Sequence, residues 1–159
     1  MPNITRRFIG HLQKNKVNKC LELFDTIDSV DSFKLAEKIN NRSVFLNKKT
    51  SILLEINTSG DESKKGFPPN LDDDFYSIFG FDNLKVDGLM TMGPLSQKED
   101  ETRSAFALLR KIKTKINDQL PGEPIKELSM GMSGDFQIGI EEGSTMIRLG
   151  TAIFGKRNY

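Results

Sequence analysis

Glu127-Leu-Ser-Met-Gly-Met-Ser-Gly-Asp135 and Thr145-Met-Ile-Arg-Leu-Gly-Thr-Ala-Ile-Phe-Gly155 decide the fold. Each is a short apolar run that ends in small, hydroxyl-bearing residues, and a helix-length segment from Asp135 to Gly143 joins them. Strand, loop, helix, strand, loop in that order reads as a parallel βα repeat. Both loops have the composition that receives a phosphate: hydroxyls, glycines and backbone N–H groups at the start of a helix. The second run carries Arg148 in its apolar centre, and a buried guanidinium is costly unless it meets an anion or an acceptor. Together these residues suggest a site for a small phosphorylated ligand.

The same alternation extends towards the N-terminus. Short β-type runs cover residues 7–12, 25–30, 51–57, 86–92, 127–132 and 146–154. Helical patterns fill the gaps at 15–24, 32–40, 72–79, 99–120 and 135–142. The longest places Ala105, Leu108, Leu109, Ile112 and Ile116 on one stripe, the spacing of a helix with one buried face. The β runs are apolar almost without interruption, as expected for parallel strands covered on both faces. An open doubly wound sheet and a TIM-type barrel both fit. A nucleotide-binding sheet is disfavoured, because neither a Gly-x-Gly-x-x-Gly fingerprint nor a Walker loop is present. Asp28, Glu55, Asn57, Asp87 and Arg148 sit within the strands and suit the interior or mouth of a barrel. A phosphate site after the last two strands is also a habit of barrels. The expected fold class is therefore α/β, a TIM-barrel-like parallel βα repeat of about six units, in a single domain over residues 1–159.

Composition excludes several classes. Lys+Arg is 23 and Asp+Glu is 22, a net charge of +1, so nothing electrostatic argues for nucleic acid or a membrane surface. The one cysteine, Cys20, allows no internal disulfide, lies among apolar residues and reads as a core thiol in a reduced, cytoplasmic compartment. No apolar run has the length of a membrane span. His11 is the only histidine and has no partner at metal-ligand spacing, so no metal site is expected.

Six motifs carry a resemblance. They are Phe8-Ile-Gly-His-Leu-Gln-Lys-Asn-Lys16, Ser29-Val-Asp31, Ile56-Asn-Thr-Ser-Gly60, Gly88-Leu-Met-Thr-Met-Gly93, Leu128-Ser-Met-Gly-Met-Ser133 and Arg148-Leu-Gly-Thr-Ala-Ile-Phe-Gly155. Each alone is weak, but in this order over nearly the whole chain they resemble the pyridoxal phosphate homeostasis family, whose barrel is related to the N-terminal domain of alanine racemase. The resemblance implies a protein that binds pyridoxal 5'-phosphate (PLP) and buffers or delivers it without robust catalysis of its own. It also implies a departure. The family's first βα unit, with the lysine that forms a Schiff base, and its second unit have no counterpart here, and the family's Trp-His before Phe-Ile-Gly is Arg6-Arg7. The match spans about three-quarters of an eight-stranded barrel.

The site residues follow from the residues and the resemblance together. Ser133 reads as a helix cap or, with the N–H groups of Gly134 and Asp135, as a phosphate ligand. Gly150 reads as a tight interior glycine or as a place of close approach to phosphate, with Thr151 offering its hydroxyl and N–H. In both cases the resemblance favours phosphate. Arg148, expected to share a strand face with Gly150, resembles the family arginine near the pyridine nitrogen, where a fixed positive charge discourages ring protonation and the electron-sink chemistry that needs it. A structural ion pair with Glu55 or Asp87 is the compatible alternative. The resemblance places His11 near the cofactor ring, adds Asn57, and leaves Met130 open between ring packing and core. Lys14, Lys16, Lys64 and Lys65 have no apolar context that would lower a lysine pKa, so none takes over the missing covalent role.

The leading expectation is non-covalent, weakened binding of PLP by a non-enzymatic carrier. The second is an assembly role, in which a complementing chain or another copy pairs with the open edges of the first and last strands, and Arg6 and Arg7 discourage wrong pairing. An amino-acid racemase, which would need an acid/base pair and the absent lysine, is the least supported.

Overall fold

The computed structural model describes residues 4–156. Six strands, β1 (Arg7–Phe8), β2 (Thr26–Val30), β3 (Thr50–Glu55), β4 (Leu84–Met90), β5 (Glu127–Met132) and β6 (Met146–Arg148), form one sheet in chain order. Every neighbouring pair is parallel. Helices α1 (Val17–Leu23), α2 (Phe33–Phe45), α3 (Asp73–Ser77), α4 (Glu99–Gln119), α5 (Phe136–Glu141) and α6 (Thr151–Phe154) alternate with them. The result is a curled half-barrel with helices on its outside, a TIM-barrel-like arrangement of about six βα units.

The two faces of the sheet have different chemistry because side chains alternate along a strand. Ile27, Ile52, Leu54, Leu89, Leu128 and Met130 point outward and pack against Val17, Leu35, Ile39, Phe75, Phe106 and Leu109 of the helices in one continuous core. The inward face carries Arg7, Asp28, Glu55, Ser129 and Arg148. Leu53 and Met90 are buried but lie outside that helix-facing core.

Local sequence explains most boundaries. Asp72 accepts the Phe75 N–H at 2.9 Å and so starts α3. Glu99, Asp100 and Glu101 occupy the first turn of α4, where negative charge suits the helix N-terminus. Its buried stripe is Ala105, Phe106, Leu109, Ile112 and Ile116, with Leu108 only partly buried. One glycine is forced by a close approach of backbones: a Cβ on Gly88 would lie 2.0 Å from the Glu127 carbonyl oxygen, on the neighbouring strand.

Two strand expectations are corrected. β1 stops at Phe8 rather than residue 12, because an edge strand has only β2 to pair with, and Gly10 instead accepts the Ser29 hydroxyl. β6 stops at Arg148 rather than residue 154. The apolar Thr151–Phe154 segment turns into α6, closed by Ile153 and Phe154 N–H bonds to the Gly150 carbonyl at 3.0 and 2.9 Å. A short apolar run does not distinguish strand from helix by periodicity alone. α2 also runs on to Phe45, beyond the expected end at residue 40. Among the described residues no helix is long and apolar enough to cross a membrane.

Candidate functional site

Parallel strands deliver their C-terminal ends, and the loops after them, to one mouth. There the loops after β4, β5 and β6 enclose a cleft of about 750 Å³, lined among others by Gly93, Ser133, Gly134, Gly150, Thr151 and Lys64. Ser133 is its organising side chain. Its Oγ accepts the N–H groups of Gly150 and Ala152, each at 3.1 Å. The donors around Ser133 thus come from the start of α6, not from Gly134 and Asp135 as expected. Asp135 instead receives the Met132 N–H on its own carboxylate at 2.6 Å, which tightens the loop after β5. The Gly134 and Thr151 N–H groups have no intramolecular acceptor among the described residues. The Ser133 hydroxyl and the Gly134 and Thr151 N–H groups therefore lie together on the lining of the cleft.

Gly150 lies two residues past the end of β6, so it does not share a strand face with Arg148. A Cβ there would meet nothing within 4 Å. The chain's own packing therefore does not require glycine at this point, which removes the tight-interior reading and leaves the space before Gly150 as part of the cleft.

Arg148 is half-buried on the inner face. One terminal nitrogen donates to Ser129 Oγ at 2.7 Å, and the other donates to the Thr91 carbonyl at 2.8 Å and to Met92 Sδ at 3.1 Å. Burial pulls its pKa below the ordinary arginine value, against the attraction of Asp135, Glu55 and Asp28. The expected contact ion pairs are absent among the described residues: Asp87 is held by Lys85 at 2.9 Å, and Glu55 attracts Arg148 only through space. Arg6 and Arg7 are likewise not free edge charges. Arg6 pairs with Asp25 at 2.9 Å, and Arg7 reaches inward to the fully buried Asp28 at 2.7 Å.

The remaining expected residues scatter. His11 lies in the loop three residues past the end of β1, half-exposed, with Nδ1 3.3 Å from Asp31 Oδ2. It lines a separate hollow with Lys14, Asp31 and Lys64. Asn57 holds its own loop, donating to the Asp61 carbonyl at 2.9 Å and accepting the Ser59 hydroxyl at 3.0 Å. Met130 is fully buried between sheet and helices and does not face the cleft. Lys64 was set aside as a loop lysine, yet the structure brings it to the cleft. Its side chain is only 16% exposed, and Nζ lies 3.4 Å from Asp61 and donates to the Gly93 carbonyl. Lys64 was missed because its partner Gly93 lies 29 residues away in sequence, a relation that no local pattern carries.

The family model described as alanine racemase, N-terminal domain, matches residues 4–158. A pyridoxal phosphate homeostasis protein of Synechocystis sp. is 42% identical over 156 residues, covering 98% of this chain and 71% of that protein. The chain belongs to the pyridoxal phosphate homeostasis protein family. The Homo sapiens member is 38% identical over 99% of this chain and 60% of its own length. PipY of Synechococcus elongatus, solved with PLP bound, superimposes with a TM-score of 0.88 at 34% identity over 98% of this chain and 72% of that one. The chain thus spans between 60 and 72% of the length of these relatives. An alanine racemase of Clostridium difficile, 16% identical with a TM-score of 0.77, shares the fold.

Proposed function

We propose that this chain binds PLP non-covalently and serves as a carrier or buffer of the cofactor in vitamin B6 homeostasis, in the cytoplasm and without catalysis of its own. The observation that carries this reading is the cradle in which Ser133 Oγ meets the Gly150 and Ala152 N–H groups beside the open face of Gly150. The relatives' name and the PLP in PipY support the choice of ligand. The residues fit the cofactor: Ser133, Gly150 and Thr151 would hold its phosphate, Arg148 its pyridine nitrogen, and His11 and Asn57 lie on loops at the same mouth. When bound, the cofactor supplies an aldehyde and an electron-withdrawing ring. Arg148, fixed by neutral acceptors, would keep positive charge at the ring nitrogen and so disfavour its protonation, which suits a carrier better than a transaminase or racemase. Residues 1–159 act in this reading as one partial barrel domain.

Titration with PLP, followed by borohydride reduction and intact mass with peptide mapping, tests it. Saturable binding that inorganic phosphate competes away, with no stoichiometric adduct, is the expected result. A single lysine modified in full would overturn the non-covalent part, and no saturable binding would overturn the whole.

A second reading is assembly. β1 and β6 are the open edges of the sheet, and Ile153 and Phe154 beside β6 are 65% and 85% exposed. Such an edge invites a partner chain or a second copy. A soluble compact monomer on sizing would exclude self-association.

A further inference from the structure

The half-barrel is curled but not closed. β1 and β6 are the outer strands of the sheet, each paired on one side only among the described residues, to β2 and to β5. Yet the two edges are not remote from one another. Arg7 of β1 and Met146 of β6 border the same hollow of about 860 Å³ at the N-terminal ends of the strands, together with Val86, Asp87 and Glu127. The curl therefore turns the first strand towards the last, as in a barrel with a gap in its wall.

The chemistry at the gap describes what fills it. A strand edge leaves a row of free N–H and C=O groups that another strand satisfies. Apolar side chains stand exposed on both flanks: Ile4, Ile9 and Leu23 around β1 and α1, and Ile140, Ile153 and Phe154 on α5 and α6 beside β6. Strands alone would leave these flanks in water, so the occupant brings helices for its outer face. The number of strands follows from closure. Eight close a barrel whose interior side chains just fill, and six are present. Two parallel strands need a helical crossover between them, which makes the occupant a β-α-β-α unit. A second copy of this chain fits less well. Joined edge to edge, two copies make a ring of twelve strands, with an interior too wide for pairs such as Arg7 and Asp28 to fill. Such a ring would also part Arg7 from Met146, which border one hollow here.

We propose that the open side of the half-barrel is a docking surface for a separate β-α-β-α segment, seated in parallel between β6 and β1 so that eight strands close. This rests on the assembly reading above and names a segment, not a second copy, as the partner. PipY offers the probe. The chain covers 72% of it, so more than a quarter of PipY, the share of two units in eight, has no counterpart here.

The uncovered part of PipY, made as a separate segment, is mixed with the unaltered chain, and the complex is weighed by native mass spectrometry and sedimentation. A one-to-one complex is expected, with a melt raised by about 5 °C or more at saturating segment. Ile9→Asp and Ile153→Asp, one on each flank, should each weaken the complex by about tenfold or more. Val44→Asp, at an exposed apolar position on α2 away from both edges, should leave it within about twofold. Should the free segment be insoluble, it is delivered joined to the chain by a protease-cleavable linker, and the two parts must stay together as one species after the cut. Parting after the cut, or binding that survives both flank variants, would overturn the proposal. A chain that pairs with itself and ignores the segment would overturn it while leaving the assembly reading intact. A monomer that binds neither would overturn both.

Discussion

Ser133 Oγ lies 3.1 Å from the backbone nitrogen of Gly150 and so ties the loop after β5 to the loop after β6. Two segments that read as separate strand ends in the sequence become one cradle. Ser133→Ala should weaken PLP binding by about tenfold, because a hydroxyl and the order of two N–H groups are lost together. The cost to stability should be only about 1 kcal/mol, the value of a lost cap. Equilibrium dialysis with PLP and a thermal melt measure the two effects. Unchanged affinity would remove Ser133 from the site.

Gly150→Ala separates packing from binding at the neighbouring position. With open space where the Cβ would go, stability should stay within about 0.5 kcal/mol. Affinity for PLP should drop, because the added methyl occupies the space before the backbone. Full affinity in a stable Gly150→Ala protein would move the phosphate elsewhere.

Arg148→Lys keeps the charge and loses the fork. A single ammonium cannot reach Ser129 Oγ, the Thr91 carbonyl and Met92 Sδ from the same position. Absorbance titration should show PLP affinity reduced by about tenfold or more, with a shifted spectrum of the bound cofactor. Retention of both affinity and spectrum would leave Arg148 with a purely structural role.

Gly88→Ala should be among the most damaging small changes to the fold. The new methyl would lie 2.0 Å from the Glu127 carbonyl oxygen, and β4 and β5 would have to separate. Urea unfolding should show a loss of ~3 kcal/mol or more, at or above the usual range of overpacking. A loss below about 1 kcal/mol would mean that the strands shift apart freely.

Acid should loosen the edge at β1. The guanidinium and backbone N–H of Arg6 hold the Asp25 carboxyl at about 2, below its ordinary value of 3.8. A carboxyl depressed in the folded state stabilises the fold above its unfolded pKa and loses that contribution as pH falls through the folded one. The pair's share is therefore present above about pH 4 and fades towards pH 2. Both side chains are half-exposed, so salt should weaken the effect. Thermal melts between pH 5 and 2 should fall more steeply for the unaltered chain than for Asp25→Asn. Parallel curves would show that the pair contributes nothing.

The order of elements was legible because period and punctuation are local. All six strands and the first five helices lie where apolar runs and helical stripes place them, and the two flanks of the Ser133 cleft are visible in Leu128–Ser133 and Arg148–Gly155 as sequence motifs. The ends were less legible. α6 was hidden in an apolar run, and its helical form depends on Ser133 holding the N–H groups of Gly150 and Ala152 from seventeen and nineteen residues away.

The sequence by itself determined the parallel βα repeat, the family and the two motifs whose ends line the Ser133 cleft, since these rest on spacing and on motif order along the chain. Only the tertiary structure decided which face each residue serves. It sent Met130 to the outer core, brought Lys64 to the cleft and gave Asp28 its Arg7. Alternation along a strand says that neighbours part company, but which of two faces is the inside, and what waits there, is set by how the sheet curls and which distant loops it brings together.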